Sequence, residues 1–131
     1  MNLEDDNYCF VCGKKNPVGL KLNFKIDKES KSIRTEFVPE KQYQGYKDIV
    51  HGGIISTVLD ESMVKLAIGL GMKVVTVTMG VRFRNPLFVG ERATVSAKLI
   101  SEKKIIEAEA EAVKDDGTVI AEGNARLMRL E

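Results

Sequence analysis

The stretch from Gly53 to Leu70 constrains the fold more than any other part of the chain, because it is apolar on more than one side. One stripe of apolar residues recurs at helical spacing: Ile55, Leu59, Leu66 and Leu70. Further apolar residues lie beside that stripe, and a helix that is apolar around most of its girth is normally buried on most sides. We therefore predict a buried helix that begins at about Gly52 and ends at the glycines that follow Ile68.

The rest of the chain alternates apolar and polar residues with the period of two that is typical of half-buried strands. Before the helix, this pattern predicts a hairpin from Gly19 to Ile26 and from Lys31 to Val38, followed by a loop to Val50. After the helix, a strand begins at Lys73 and is broken by Asn85-Pro86. On that strand the alternation predicts one shared face for these residues: Val75, Val77, Met79, Val81 and Phe83.

Three more alternating segments complete the chain, at about 93–99, 106–112 and 119–127. Their inward residues are mostly alanine, and Asp116-Gly117 is a strong hairpin signal before the last one. Small inward residues leave room for a helix to lie against a curved sheet. We predict an α+β fold in which a curved antiparallel sheet of about six strands wraps around one long central helix. It forms one domain over residues 1–131, with a leader over residues 1–17.

The inventory of charged and reactive side chains excludes several classes of protein. The 131 residues carry 20 basic and 19 acidic side chains, which argues against a nucleic-acid binder that relies on bulk charge. A single histidine cannot build the two-histidine motif of a zinc protease. Neither a secretory signal nor an 18-residue apolar run is visible, so we expect a cytoplasmic protein with no membrane partner.

His51-Gly52-Gly53 stands where the predicted helix begins. The first backbone N–H groups of a helix have no intrahelical acceptor, and glycines leave them open to a ligand oxygen. Together with the positive end of the helix dipole, they are a candidate oxyanion site. The alternative is that the glycines only allow a tight turn beneath a packed sheet.

Two adjacent carboxylates, Asp60 and Glu61, lie in the middle of the predicted helix. Lys65 follows Glu61 by four residues in the favourable order, so we predict an ion pair between them. Asp60 has no cation at helical spacing, and an uncompensated carboxylate in an apolar setting is the better candidate for catalysis. The alternative is a structural ion pair between Asp60 and a cation elsewhere in the fold or in a second subunit.

The segment from Gly45 to Glu61 resembles the signature of hotdog-fold acyl-CoA thioesterases of the phenylacetate-pathway type. The shared features are the His-Gly-Gly turn, an acidic residue nine positions after the histidine, and a later strand from Thr76 to Pro86. The resemblance extends from about Gly19 to Met128. It implies a hotdog fold and hydrolysis of an acyl-CoA to a free acid and CoA.

The resemblance also implies an assembly and roles for the residues above. The protein would be a homodimer or a dimer of dimers, with active sites at the subunit interface and no cofactor. Backbone N–H groups near Gly52 and Gly53 would bind the thioester carbonyl, and Asp60 would activate water or attack directly. Thr76 of the neighbouring subunit would position the nucleophile, and His51 would orient the turn or the thioester, unless it is only structural. A thiolate leaves readily, so a strong general acid is dispensable.

Substrate contacts are expected at five further positions. Gln44 stands beside the position where some members hold the water with an amide side chain, and it is a candidate substitute. Met63 and Val64 would line the acyl tunnel together with residues of the partner subunit. Arg82 and Arg84 are candidates for the nucleotide end of CoA, because arginine recognises phosphate well. The alternative is that both arginines are solvated surface charges.

Cys9 and Cys12 have the spacing of a zinc knuckle, but a tetrahedral structural site needs four ligands and one chain has two cysteines. We therefore do not predict a metal site within one chain. Two chains together would supply four cysteines, and the pair is otherwise redox-active or merely packed.

Two other functions share this fold. An acyl-CoA-binding module would keep Gly52 and Gly53 but would not depend on Asp60. A hydroxyacyl dehydratase needs a histidine and an acid at a different spacing, so the position of Asp60 disfavours it. The leading prediction is thioester hydrolysis.

Overall fold

The computed structural model describes residues 2–130 and contains one long helix and six strands. The strands before the helix are β1 (Phe24–Asp27) and β2 (Ser32–Phe37), and a single 3₁₀ turn lies at Lys41–Tyr43. The helix, α1, spans Gly52–Gly69. The strands after it are β3 (Lys73–Phe83), β4 (Ala93–Glu102), β5 (Ile105–Lys114) and β6 (Val119–Leu130). This confirms the predicted α+β fold.

All six strands form one antiparallel sheet in the order β1-β2-β4-β5-β6-β3. After α1 the chain crosses to the far edge of the sheet, so that among residues 2–130 β3 pairs only with β6, the last strand. Helix α1 packs against β4, β3, β5 and β6. No helix among residues 2–130 is long and apolar enough to cross a bilayer.

The core lies between α1 and the sheet, as the alternating pattern predicts. From the helix, Leu59, Met63 and Leu66 are completely buried. From the sheet, the buried side chains are mainly small, which lets the helix approach the strands closely. They include Ala93, Ala97, Ala108, Ala110, Ala112, Ala121 and Ala125.

The first strand is shorter than predicted, because its first half pairs with the leader instead. The backbone N–H groups of Leu20 and Leu22 donate to the carbonyl oxygens of Phe10 and Val11, at 2.8 and 2.9 Å. Lys21 between them has a φ of +53°, which interrupts an extended strand. β1 therefore begins at Phe24 rather than at Gly19.

Strand β3 contains a bulge, and this changes which residues face the helix. Its pairing with β6 shifts register between Thr76 and Thr78. Before the bulge, Val74 is buried; after it, Met79 packs against the core, while Val77 is 51% exposed. The extra residue reverses the alternation. The prediction that Val75 and Val77 share a face with Met79 is therefore wrong.

Candidate functional site

The side chain of His51 caps the start of α1. His51 has extended backbone angles (φ −61°, ψ 131°), and its Nδ1 accepts a hydrogen bond of 2.8 Å from the N–H of Gly53. That N–H, an expected oxyanion donor, is thus already bonded within the chain. Gly52 is the first helical residue, and its N–H has no intrahelical acceptor. The helix start therefore offers the N–H of Gly52 as its donor for a ligand oxygen.

Both glycines at this turn are also closely packed. A Cβ on Gly52 would lie 3.3 Å from the ring of Phe83, and a Cβ on Gly53 would lie 3.0 Å from Nδ1 of His51. Phe83 itself is 53% exposed and ends β3 beside the helix start. The glycines therefore fit the tight turn, and only Gly52 keeps an N–H without an acceptor in the helix.

We expect His51→Ala to lower the free energy of unfolding by about 0.5–2 kcal/mol, because it removes the acceptor that caps Gly53. His51→Asn is the matched control, since an asparagine side chain caps helices well and retains most of this stability. Urea unfolding of the three proteins measures the difference. Equal stability of His51→Ala and the wild type would contradict a capping role.

Asp60 accepts a hydrogen bond of 2.8 Å from the hydroxyl of Thr76. Both side chains are partly buried, and no ion pair within the described chain involves Asp60. The bulge in β3 turns Thr76 towards the helix and makes this contact. The contact lies within one chain. That the neighbouring subunit supplies the threonine of each active site stays a prediction. Asp60 retains lone pairs for a water molecule or a substrate.

The helix start and Asp60 are too far apart to act on one thioester within one chain. Gly52 and Asp60 lie on the same helix, and a rise of 1.5 Å per residue separates them by about 12 Å. A reacting group must lie about 3 Å from both the nucleophile or base and the oxyanion donors. Within one chain, the N–H of Gly52 and the carboxylate of Asp60 therefore do not meet this requirement.

The predicted ion pair between Glu61 and Lys65 is absent from the described chain, because both side chains contact the leader instead. The thiol of Cys9 donates to the carboxylate of Glu61, at 3.0 Å, and Nζ of Lys65 lies 3.2 Å from Sγ of Cys12. Burial and the neighbouring Glu61 raise the pKa of the Cys12 thiol to about 12. Glu61 is thus occupied on the leader side of α1, which leaves Asp60 as the carboxylate directed to β3.

Three of the expected substrate contacts have other partners in this structure. The side-chain oxygen of Gln44 accepts from the N–H of Asp48, at 3.0 Å, within its own loop. Met63 is completely buried in the core of the single chain, and its place in an acyl tunnel stays a prediction. Val64 is half-buried and packs at the edge of the core.

The two arginines lie at the exposed side of the sheet. Arg84 forms an ion pair of 3.4 Å with Glu122, and both side chains are nearly half exposed. Arg82 lines an open groove of about 640 Å³ on the outer face, together with Lys98 and three glutamates. A groove with this many carboxylates does not favour a polyanionic ligand. The structure thus favours the reading of both arginines as surface charges.

The sequence of this chain matches the model of a known protein family. The sequence model of the thioesterase superfamily matches residues 47–121, from the loop before α1 into β6. This range contains the His51 turn, Asp60 and Thr76. No curated protein matches the sequence significantly.

Solved structures share the fold at low sequence identity. A thioesterase superfamily protein aligns over 95% of this chain with a TM-score of 0.87 and 22% identity, and the chain spans 61% of that longer protein. A phenylacetic acid degradation-related protein from Ralstonia eutropha JMP134 aligns over 83% of this chain and 85% of its own, with a TM-score of 0.76 and 21% identity.

A third structure contains a ligand. It is a hypothetical thioesterase protein from Streptococcus pneumoniae TIGR4 with coenzyme A, which aligns over 82% of this chain and 86% of its own. Its TM-score is 0.76 and its identity 14%. The same protein was also solved with an aspartate replaced by alanine, and with a threonine sixteen positions later replaced by alanine.

Proposed function

The chain belongs to the thioesterase superfamily, and from this premise we propose that it hydrolyses an acyl-CoA thioester to a free acid and CoA. The observation that carries the proposal is the hydrogen bond between Thr76 and Asp60, which holds a partly buried carboxylate that has no cationic partner in the described chain. Such a carboxylate is suited to act on a water molecule or a thioester carbon.

In the proposed reaction, Asp60 acts as general base. Water adds to the thioester carbon while Asp60 takes its proton, and the carbonyl oxygen accepts a hydrogen bond from the N–H of Gly52. The C–S bond then breaks, and the CoA thiolate leaves and takes up the proton. Direct attack by Asp60 gives the same products through an anhydride, which water then cleaves. His51 has a positioning role, since it keeps the first turn of α1 in place.

The spacing of two residues supports the assignment of Asp60 and Thr76. They lie sixteen positions apart in this chain, which is also the separation of the aspartate and the threonine replaced in the Streptococcus pneumoniae protein. That protein contains coenzyme A in one structure, and a protein from Streptococcus mutans UA159 was solved bound to acetyl CoA. These two ligands support a CoA thioester as the substrate class.

We further propose that the active enzyme is a homodimer, or a dimer of dimers, with each site shared between two chains. About 12 Å of helix separates Gly52 from Asp60, so a second chain has to bring its helix start to the first chain's carboxylate. Strand β3 offers a surface for this assembly, because no strand of the described chain pairs with its outer edge over its eleven residues. Long unpaired edges and exposed apolar residues such as Val77 are features of contact surfaces.

A panel of acyl-CoAs of different chain length and aromatic content, assayed by release of the free thiol, tests the proposed activity. We expect turnover of at least one member well above the rate in buffer. The competing function is an acyl-CoA-binding module, which would bind a member of the panel in calorimetry without releasing thiol. Binding without turnover across the panel would overturn the hydrolase proposal.

A further inference from the structure

The leader contacts the middle of α1 through a cluster of four polar side chains that the proposed hydrolysis does not use. Sγ of Cys9, Sγ of Cys12 and a carboxylate oxygen of Glu61 all lie within 4.8 Å of one another. Lys65 Nζ lies 3.2 Å from Cys12 Sγ. All three potential ligands are partly buried, and they come from two separate parts of the chain.

The backbone of the leader is shaped to hold the two sulfurs together. The N–H of Gly13 donates to the carbonyl of Cys9, at 2.8 Å, and closes a tight turn around the two cysteines. A Cβ on Gly13 would lie 2.4 Å from the backbone nitrogen of Cys9, so only glycine fits there. Val11, between the cysteines, is 3% exposed and anchors the turn to the rest of the protein.

We propose that Cys9, Cys12 and Glu61 bind a zinc ion. A tetrahedral zinc ion, with bonds of about 2.3 Å to sulfur and about 2.1 Å to oxygen, holds its ligand atoms about 3.6 to 3.8 Å apart, which the cluster reaches with small side-chain shifts. The sequence alone indicates two ligands. The third, Glu61, comes into reach only because the leader folds against α1.

The charges of the cluster match a divalent cation. With both thiols deprotonated, three negative charges face the single positive charge of Lys65, and a divalent ion neutralises the difference. Thiolates together with a carboxylate select zinc over magnesium or calcium. On binding, the two thiol protons leave to solvent, two Zn–S bonds and one Zn–O bond form, and a water molecule takes the fourth position.

The zinc site lies on a different side of α1 from the Asp60 site, since consecutive helical residues are about 100° apart around the axis. Its expected role is to fasten the leader to the helix, so its presence does not depend on the proposed hydrolysis. Loss of zinc should therefore lower the thermal stability of the whole chain and expose the leader to proteases.

The test uses the full chain, purified under reducing conditions and without chelator. We expect about one zinc per chain by mass spectrometry of the metal content. After the metal is stripped, cobalt(II) should bind with thiolate charge-transfer absorption and be displaced by zinc. Cys9→Ser and Cys12→Ser should lose stoichiometric binding, and Glu61→Gln should weaken zinc affinity at least about tenfold. Circular dichroism checks that each variant is folded.

Glu107→Gln, which removes a carboxylate from the exposed face of β5, is the matched control and should bind zinc like the wild type. No zinc uptake by the reduced wild type would overturn the proposal, and so would wild-type affinity in Glu61→Gln. A content of half a zinc per chain would favour a four-cysteine site between two chains instead. A Cys9–Cys12 disulfide in place of bound metal would favour a redox pair.

Discussion

Replacing Asp60 by asparagine is expected to lower kcat for acyl-CoA hydrolysis by about 10²- to 10⁴-fold, the range usual for loss of a general base. Asparagine has nearly the same shape and keeps an oxygen that can accept the hydrogen bond from Thr76. It cannot take a proton from water and is a poor nucleophile. Binding of CoA should change little, because the substitution alters one polar atom of a half-buried side chain.

The matched control for Asp60→Asn is Glu107→Gln, which removes the same charge from the exposed side of β5. It should leave kcat unchanged. Initial rates of thiol release for the three proteins, with the best member of the panel, measure the effect. Turnover by Asp60→Asn equal to that of the wild type, and above the rate in buffer, would show that another group performs the chemistry.

Mixing two inactive variants is expected to restore activity, because the proposed site takes Asp60 from one chain and the helix start from another. Gly52→Val places a branched side chain against Phe83 and beside the N–H that would bind the thioester oxygen. It should be inactive, like Asp60→Asn. In a mixed dimer, one of the two sites receives the wild-type Asp60 and the wild-type Gly52.

After subunit exchange of an equal mixture, half of the dimers are mixed and each has one intact site, so about a quarter of the wild-type activity should return. Each variant incubated alone is the control, and chromatography confirms that both are folded and assembled alike. No recovery, despite exchange shown by mass spectrometry, would mean that a site uses residues of one chain only. It would contradict the shared site without contradicting hydrolysis itself.

The helix and the strands can be predicted from the sequence because their apolar residues recur with a local period. The stripe around Leu59 predicts the helix within one residue of its observed bounds, and alternation locates every strand, although β1 begins five residues later than predicted. Asp116-Gly117 forms the expected turn, in which Gly117 has a φ of +88°. The order of the strands is not local information, and nothing in β3 indicates that it lies beside β6 at an edge.

What the sequence did not predict depends on contacts between distant segments. Spacing on the helix favours an ion pair between Glu61 and Lys65, but the leader offers both side chains closer partners. The backbone partners of Leu20 and Leu22 likewise come from the leader. The sequence does not reveal the bulge at Thr76, because valine and threonine favour a strand whichever face of the sheet they lie on.

Alternation places Phe83 on the same face of β3 as Met79, but it does not predict the contact of Phe83 with Gly52. The sequence around an aromatic residue at the end of a strand does not indicate which turn that residue contacts. The position of His51 before two glycines indicates a role at the turn, but the sequence alone does not predict that its side chain caps the helix.

The bulge divides strand β3 into two parts whose side chains alternate in opposite senses. The hydroxyl that contacts Asp60 lies in the part before the bulge. Upstream, the even-numbered positions face α1; downstream, the odd-numbered ones do, and they include Phe83 at the helix start. A substitution at one position leaves this relation intact, whereas a change of strand length by one residue reverses it. The number of residues between Thr76 and Phe83 is therefore as much a part of the candidate site as their identities.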